Sequence, residues 1–377
     1  MGGTPPSDAS AASERLVEVA EELNVPVDAV ELFSESDGAL SVAFVAQYGC
    51  ESESNESPHS GKARVFVKTL PSQEFLLNLC REQQLFEREA TCLRQCTAKA
   101  AELDQCATLY VPRLRHASAS CLAMEHLADL GFSNVPSQQA ESVRGTTLRT
   151  PLSYQQMRQA LSALAEFHAL FFDDESALSE FDPLFDEEKH RNFVMGAFDY
   201  GVTDLKRLEE KGSLEAQVVA SVEQMREHFK QDNINVPRHC FLTHGDLWSP
   251  NLLWRDDRVA FVDFQFTKRG EPLHDVYFLL FSAMETEARH EHFDALLEHY
   301  TAHLLSLIPA DKHAKALQLL RGAEPHARAV RQTVLQLIAG VCDMFLTDDE
   351  LASRYFAMLR DLGEAFLKSQ DAQALSN

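Results

Sequence analysis

Basic residues are scarce in this chain of 377 residues: 34 Lys and Arg stand against 58 Asp and Glu, a formal net charge of -24. So large an acidic excess excludes an extended nucleic-acid or anionic-membrane surface, because both need clustered cations. Long hydrophobic runs are also missing. The longest apolar stretch, Thr333 to Leu346, is interrupted by Gln336 and Asp343 and is too short to cross a bilayer. None of the eight cysteines pairs with histidines at zinc spacing, so reduced thiols are expected, with Cys92 and Cys96 one helical turn apart as packing residues. The N-terminus lacks a basic-then-apolar leader, and Pro6 stands where a myristoylation signal needs Ser or Thr. A cytoplasmic protein is the expectation.

What the chain does have is concentrated between Phe241 and Gln265, FLTHGDLWSPNLLWRDDRVAFVDFQ. Asn251 follows Asp246 by five residues, and the polar turn Arg255-Asp256-Asp257-Arg258 separates two short apolar runs that read as strands. A hairpin built this way places Asn251 near its start and Asp263 at its end, on one edge of a sheet. Phosphoryl transfer needs that set: a carboxylate to meet the attacking hydroxyl, and an amide oxygen and a second carboxylate to hold a cation against phosphates.

These residues carry a resemblance. His244-Gly245-Asp246 with Asn251, and Val262-Asp263-Phe264-Gln265, are similar to the catalytic loop and metal motif of the ecdysteroid kinase-like, or CHK kinase-like, family. That family is a branch of the choline and aminoglycoside phosphotransferases. The resemblance implies ATP and Mg2+ as cofactors, Asp246 as catalytic base, and Asn251 and Asp263 as metal ligands. It also implies that Asp275, with His244, supports the catalytic loop. The fold it implies is α+β and two-lobed, like a protein kinase, with a small antiparallel N-lobe sheet plus a helix and a larger, mainly helical C-lobe.

Upstream, residues 1–12 read as a disordered tail, and Ser13 as the N-cap of a first helix ending before Pro26. Val30 to Glu35, Leu40 to Tyr48 and Ala63 to Leu70 read as strands, the second by its period-2 alternation. The turn Ser36-Asp37-Gly38 holds one glycine; it is an ordinary hairpin turn or, by the resemblance, a phosphate-covering loop with Gly38 at the nucleotide. Lys68 is costly to bury in its strand without an anion, and Glu89 on the next helix is the expected partner, with Glu87 the alternative. By resemblance this pair holds the nucleotide phosphates. The strand Ser118 to Leu127 leads to a hinge, where the backbone from Glu125 to Leu127 is implied to meet adenine.

Ser153 to Gln156 is a capping box opening a helix whose face includes His168, read as a satisfied core histidine. The acidic run at 171–191 reads as a solvated face. Asp275 is compatible with a helix N-cap. The expected organisation is an N-lobe over 13–127, a C-lobe over 128–370 and a tail over 371–377. The expected function is an ATP-dependent O-kinase for a small alcohol, steroid-like or otherwise apolar, with a choline- or aminoglycoside-type acceptor or a catalytically silent ligand-binding module as alternatives. The partner is the small alcohol; no nucleic acid or membrane partner is expected.

Overall fold

The computed structural model describes residues 8–34, 41–48, 63–134, 151–210, 216–231, 240–340 and 349–374. Gly38 and Asp343 lie outside that set. Helix α1 (Asp8–Leu23) begins ahead of the Ser13 cap that the sequence suggests. It packs Val19, Ala20 and Leu23 on one face of a five-stranded sheet of order β1-β2-β3-β6-β5. The strands are β1 (Val30–Ser34), β2 (Val42–Tyr48), β3 (Ala63–Thr69), β5 (Leu114–Ala117) and β6 (Cys121–Glu125). Every neighbouring pair is antiparallel.

The pleat decides where Lys68 points. Alternate residues of a strand face opposite sides of the sheet. Val65 and Val67 join the α1 side of the sheet, together with Val42, Phe44 and Ala46. Lys68 therefore faces the other way, toward α3 (Leu85–Ala98), which follows α2 (Glu74–Glu82). Phe86, Ala90 and Leu93 of α3 belong to the same apolar cluster as the interior of the second lobe. One core thus runs under the interlobe cleft.

The second lobe is mainly helical. Its labelled helices are α4 (Tyr154–Phe171), α5 (Glu187–Glu210), α6 (Ala216–Gln231), α7 (Pro272–Ala283), α8 (Thr286–Leu307), α9 (Ala323–Gly340) and α10 (Asp349–Ala374). Ser153 caps α4 through the reciprocal capping box with Gln156. Every residue of α7 is buried, and apart from His274, Asp275 and Ser282 the helix is apolar all round. Two short ladders lie against these helices. Strand β4 (Leu109–Tyr110) runs parallel to β9 (Arg258–Phe261), which pairs with β8 (Leu252–Arg255). Strand β7 (Phe241–Thr243) pairs with β10 (Lys268–Gly270).

Two readings need adjustment. Glu271, not Asp275, occupies the N-cap position of α7, and Asp275 lies in its first turn. The acidic run at 171–191 is solvated at Asp186, Glu187 and Glu188, as expected, but its first part is tied down: Asp173 pairs with Lys312 and Lys315, Asp174 with Lys99, and Glu175 and Asp182 with Arg269. Strands β4, β5, β7 and β10 are two to four residues long, too short to show a period in sequence.

Candidate active site

The hairpin forms where the turn residues predict it. Asp256 takes a left-handed φ of 51° in the turn between β8 and β9. Its closure brings the two ends together, and the Val262 amide donates to the Asn251 carbonyl at 3.2 Å. Asp263 follows in the left-handed region, φ 68°, which turns its carboxylate out of the strand direction. Oδ1 of that carboxylate accepts from Lys68 Nζ at 2.6 Å.

Lys68 also donates to both oxygens of Glu89, at 2.9 and 3.0 Å. Glu87 is exposed on the other side of α3, so Glu89 is the partner. Burial opposes the charge on Lys68, but Asp263 and Glu89 together hold its pKa above the ordinary lysine value. Lys68 thus tethers α3 and the N-lobe sheet to the loop that carries Asp263.

The loop from His244 to Asn251 is braced from below. Asp275 accepts from the His244 amide at 2.7 Å and the Gly245 amide at 2.9 Å, one on each oxygen. His168 Nε2 lies 3.2 Å from the same carboxylate, and its Nδ1 lies 2.6 Å from the Tyr300 hydroxyl. His168 is thus a satisfied core histidine that also backs Asp275. Burial alone would raise the Asp275 pKa; the hydrogen bond and charge of His168 and the nearby His274 and His244 hold it down at about 2.

His244 places its ring under the loop. Its Nδ1 accepts from the Asp246 amide at 3.3 Å, which leaves Nε2 to donate to the Val262 carbonyl at 3.0 Å. Burial keeps this imidazole below its ordinary pKa, in keeping with one donor and one acceptor nitrogen. Gly245 has φ +81°, and a Cβ there would stand 2.3 Å from the Phe266 carbonyl oxygen. Only glycine fits between these two motifs.

Asp246 itself is half-buried against Asn251, whose amide nitrogen donates to the Asp246 carbonyl at 2.8 Å and lies 3.4 Å from its carboxylate. Gln336 of α9 completes the set. Its amide nitrogen donates to Asp246 Oδ1 at 3.0 Å and to the Gly245 carbonyl at 2.8 Å. Its oxygen accepts from His274 Nε2 at 2.8 Å. Burial, then the charge of Asp263, raises the Asp246 carboxyl to about 7 against the opposing bonds from Gln336 and Asn251. Gln336 is a residue that sequence reasoning did not place at the site. Its signal was present: a lone amide inside an otherwise apolar helical stretch needs a polar partner.

At the hinge, the Glu125 side chain is committed to structure. It accepts from the Tyr110 hydroxyl at 2.7 Å, the Arg113 amide at 3.1 Å and the Arg115 guanidinium at 2.8 Å. Its amide is spent as well, donating to the Arg113 carbonyl at 3.1 Å. Leu127 is buried at the start of a short 3-10 turn over Leu127–Leu130, and Arg64 of β3 forms an ion pair with Asp129 in that turn. The structure therefore brings together Lys68, Glu89, Asp246, Asn251, Asp263, His244 and Asp275, and places Glu125 and Leu127 where the lobes meet.

The sequence profile of the ecdysteroid kinase-like family matches residues 35–310. The chain belongs to the ecdysteroid kinase-like family. No curated protein sequence matches it significantly. Among solved structures, the family member is similar to an ethanolamine kinase of Plasmodium vivax, at 12% identity and a TM-score of 0.50, covering 96% of this chain and 90% of the other. It is similar to an amicoumacin kinase in complex with AMP-PNP, Ca2+ and Ami, at 10% identity and a TM-score of 0.50, covering 95% and 96%. At such identities the likeness concerns the fold, and the fold of this ecdysteroid kinase-like protein is that of the two-lobed, protein-kinase-like phosphotransferases. Among the described residues, no helix is long and apolar enough to cross a membrane.

Proposed function

We propose that the protein is an ATP-dependent O-kinase that transfers the γ-phosphoryl group to a hydroxyl of a small alcohol. The observation that supports this most is the convergence of Asp246, Asn251 and Asp263 with the Lys68–Glu89 pair at one cleft. Asp246 is the base: with its pKa raised to about 7 it holds or releases a proton near neutral pH, which is what general-base work asks of a carboxylate. Lys68 leads toward the nucleotide phosphates, and Glu89 fixes its direction from a buried position. The Glu125 and Leu127 backbone and the Ser36-Asp37-Gly38 turn are the proposed nucleotide contacts.

The residues present fit Mg2+. The Asn251 nitrogen is spent on Asp246, so the amide oxygen is the atom left for a cation, and Asp263 supplies the carboxylate. One carboxylate and one amide oxygen suit a cation that keeps waters and takes the remaining ligands from phosphate, instead of a closed protein cage. Bound there, Mg2+ would supply charge neutralisation on the phosphates. The protein's own share is orientation: Gln336 and Asn251 hold Asp246, while Asp275 and His244 hold the loop.

By family resemblance the acceptor is a steroid-like or other apolar alcohol, with an amino alcohol as second choice. The test is turnover of labelled ATP with Mg2+ against a small-metabolite fraction and a protein fraction of one lysate. Label in small molecules supports the reading; label reaching proteins at the rate of the best metabolite would sink it. Nucleotide binding without turnover on a broad panel would favour a silent module.

A further inference from the structure

Below the catalytic loop, three cationic or donor-rich side chains meet around one phenyl ring. Arg88 of α3 has its guanidinium carbon 5.1 Å from the Phe185 ring centroid, and Lys268 of β10 has Nζ 5.3 Å from the same centroid. The ring of His190 on α5 is 4.9 Å from that of Phe185, centre to centre. Arg88 is only 1% exposed. Its Nε donates to the Leu184 carbonyl at 3.0 Å, but its Nη1 is buried without a hydrogen-bond partner.

The histidine is in the same position. An ammonium only donates, so the 3.5 Å contact between Lys268 Nζ and His190 Nε2 makes Nε2 the acceptor and leaves the ring proton on Nδ1. That Nδ1 is also buried without a partner. Among the described residues no carboxylate lies within ion-pair distance of Arg88, Lys268 or His190. The next residue along shows the contrast, since Arg269 takes both nearby carboxylates, Glu175 and Asp182.

Unsatisfied buried N–H groups on Arg88 and His190, with the half-buried ammonium of Lys268 beside them, are costly. The cost shows in the ionisation of both bases. Burial pushes Arg88 down to about 10, and burial with the charge of Arg88 pushes Lys268 down to about 8. In a protein of net charge -24, such a cluster needs a reason, and an anion supplies an acceptor for Arg88 Nη1 and His190 Nδ1 and a counter-charge for Arg88 and Lys268.

We propose that Arg88, His190 and Lys268 form a subsite for a small oxyanion, a sulfate, phosphate or carboxylate group. It adjoins the catalytic loop. Lys268 stands opposite Thr243 in the β7–β10 ladder, and Thr243 directly precedes His244-Gly245-Asp246. The anion is either a substituent of the acceptor alcohol or a free inorganic ion. Assigning it to the acceptor rests on the kinase reading above; the subsite does not. A cationic amino alcohol would be repelled here, so the subsite favours an apolar alcohol that carries an acidic group.

The test uses the full chain and inorganic sulfate. Thermal unfolding is followed as sulfate replaces chloride at constant ionic strength. Wild type should gain about 3 °C at sulfate about a hundredfold above its dissociation constant, rising with the logarithm of sulfate rather than in proportion to it. Lys268→Met should lose this logarithmic gain and melt higher than wild type in chloride, because an uncompensated charge has gone. Arg88→Met is the second variant and should lose the same gain. An equal sulfate response in wild type and either folded variant would reduce the effect to general exclusion of sulfate from protein surfaces and overturn the proposal, as would a wild-type response that is absent or only proportional to sulfate.

A second arm separates the sources. Small metabolites are split by anion exchange and offered with labelled ATP. Label in the anionic pool that sulfate suppresses assigns the subsite to the acceptor, and label in the neutral pool that sulfate leaves unchanged or speeds assigns it to a free ion. Label in neither pool, with the sulfate-dependent melting shift intact, counts against the kinase reading and leaves the subsite standing.

Discussion

Gln336→Ala removes two hydrogen bonds that α9 makes to the catalytic loop: one to Asp246 Oδ1 at 3.0 Å and one to the Gly245 carbonyl at 2.8 Å. A hydrogen bond to a charged group contributes about 1.5–3 kcal/mol, and each 1.4 kcal/mol or so lost from the transition state is tenfold in rate. Turnover should therefore fall about 10- to 100-fold. Nucleotide affinity should hold, because Lys68, Glu89 and Asp263 do not touch Gln336. The same change strands the Nε2–H of His274, which is neutral at pH 7 because burial lowers its pKa to about 4. That should cost about 1–3 kcal/mol in urea unfolding. Gln336→Glu is the sharper variant. It keeps an acceptor for His274 but turns a carboxylate oxygen toward Asp246 and the Gly245 carbonyl, so its turnover should fall below that of the alanine variant while its stability loss is smaller. Steady-state kinetics, nucleotide titration and urea melts on the three proteins decide the matter. Turnover of Gln336→Ala within about twofold of wild type would falsify the positioning role.

Asp246→Asn should leave nucleotide binding intact and lower turnover about 100-fold or more, the size of a general-base contribution; unchanged turnover would move the base elsewhere. Asp263→Ala should remove activity and Mg2+ dependence together, so a normal Mg2+ titration in that variant would put the metal at other residues. Lys68→Ala should weaken ATP use more than Glu89→Ala, and the double variant should cost less than the sum because both act through one pair; additive losses would show that the contact does not matter to function. Asp275 gives a pH signature. Its folded pKa of about 2 lies below the unfolded value of about 3.9, so its contribution, about 2–3 kcal/mol, is present above pH 4 and lost as pH falls through 2. The stability gap between wild type and Asp275→Asn should narrow by about half of that between pH 6 and pH 3. A gap that stays constant would mean that Asp275 is not held ionised by its surroundings.

Much of the site was legible because its parts are short-range in sequence. The hairpin from Leu252 to Phe261, with turn aspartates at its tip, fixes the distance between Asn251 and Asp263 through local geometry alone. The Lys68–Glu89 pair spans 21 residues, yet each member was marked by its place on an apolar element. Gln336 and Asp246 are 90 residues apart, and Arg88, His190 and Lys268 come from three separate elements. Nothing in a single sequence ties such positions together. The very short strands β7 and β10 escaped for a related reason: their stability comes from the register Thr243 to Lys268 and from α7 beneath them, not from any period of their own. His168 was read correctly as core, but the sequence gives no sign that its acceptor is Asp275.

The stretch from Asp263 to Asp275 bears on the kind of acceptor. In twelve residues the chain makes a 3-10 turn over Phe264–Phe266, pairs β10 with β7, and enters α7 at Pro272. Its backbone is therefore spoken for, with no free strand edge of the length that an extended peptide needs for pairing. Thr267, the one hydroxyl residue in the segment, is 0% exposed. A kinase could not reach it without opening the segment, so a phosphorylation switch at this position has no place to act. The flanking side chains are also anchored, Arg269 to Glu175 and Asp182, and His274 to Gln336. A segment fixed at both ends and paired in the middle gives a protein substrate little to bind, in keeping with the small acceptor proposed above. Because α9 carries Gln336, any shift of α9 would act directly on the hydrogen bonds that hold Asp246.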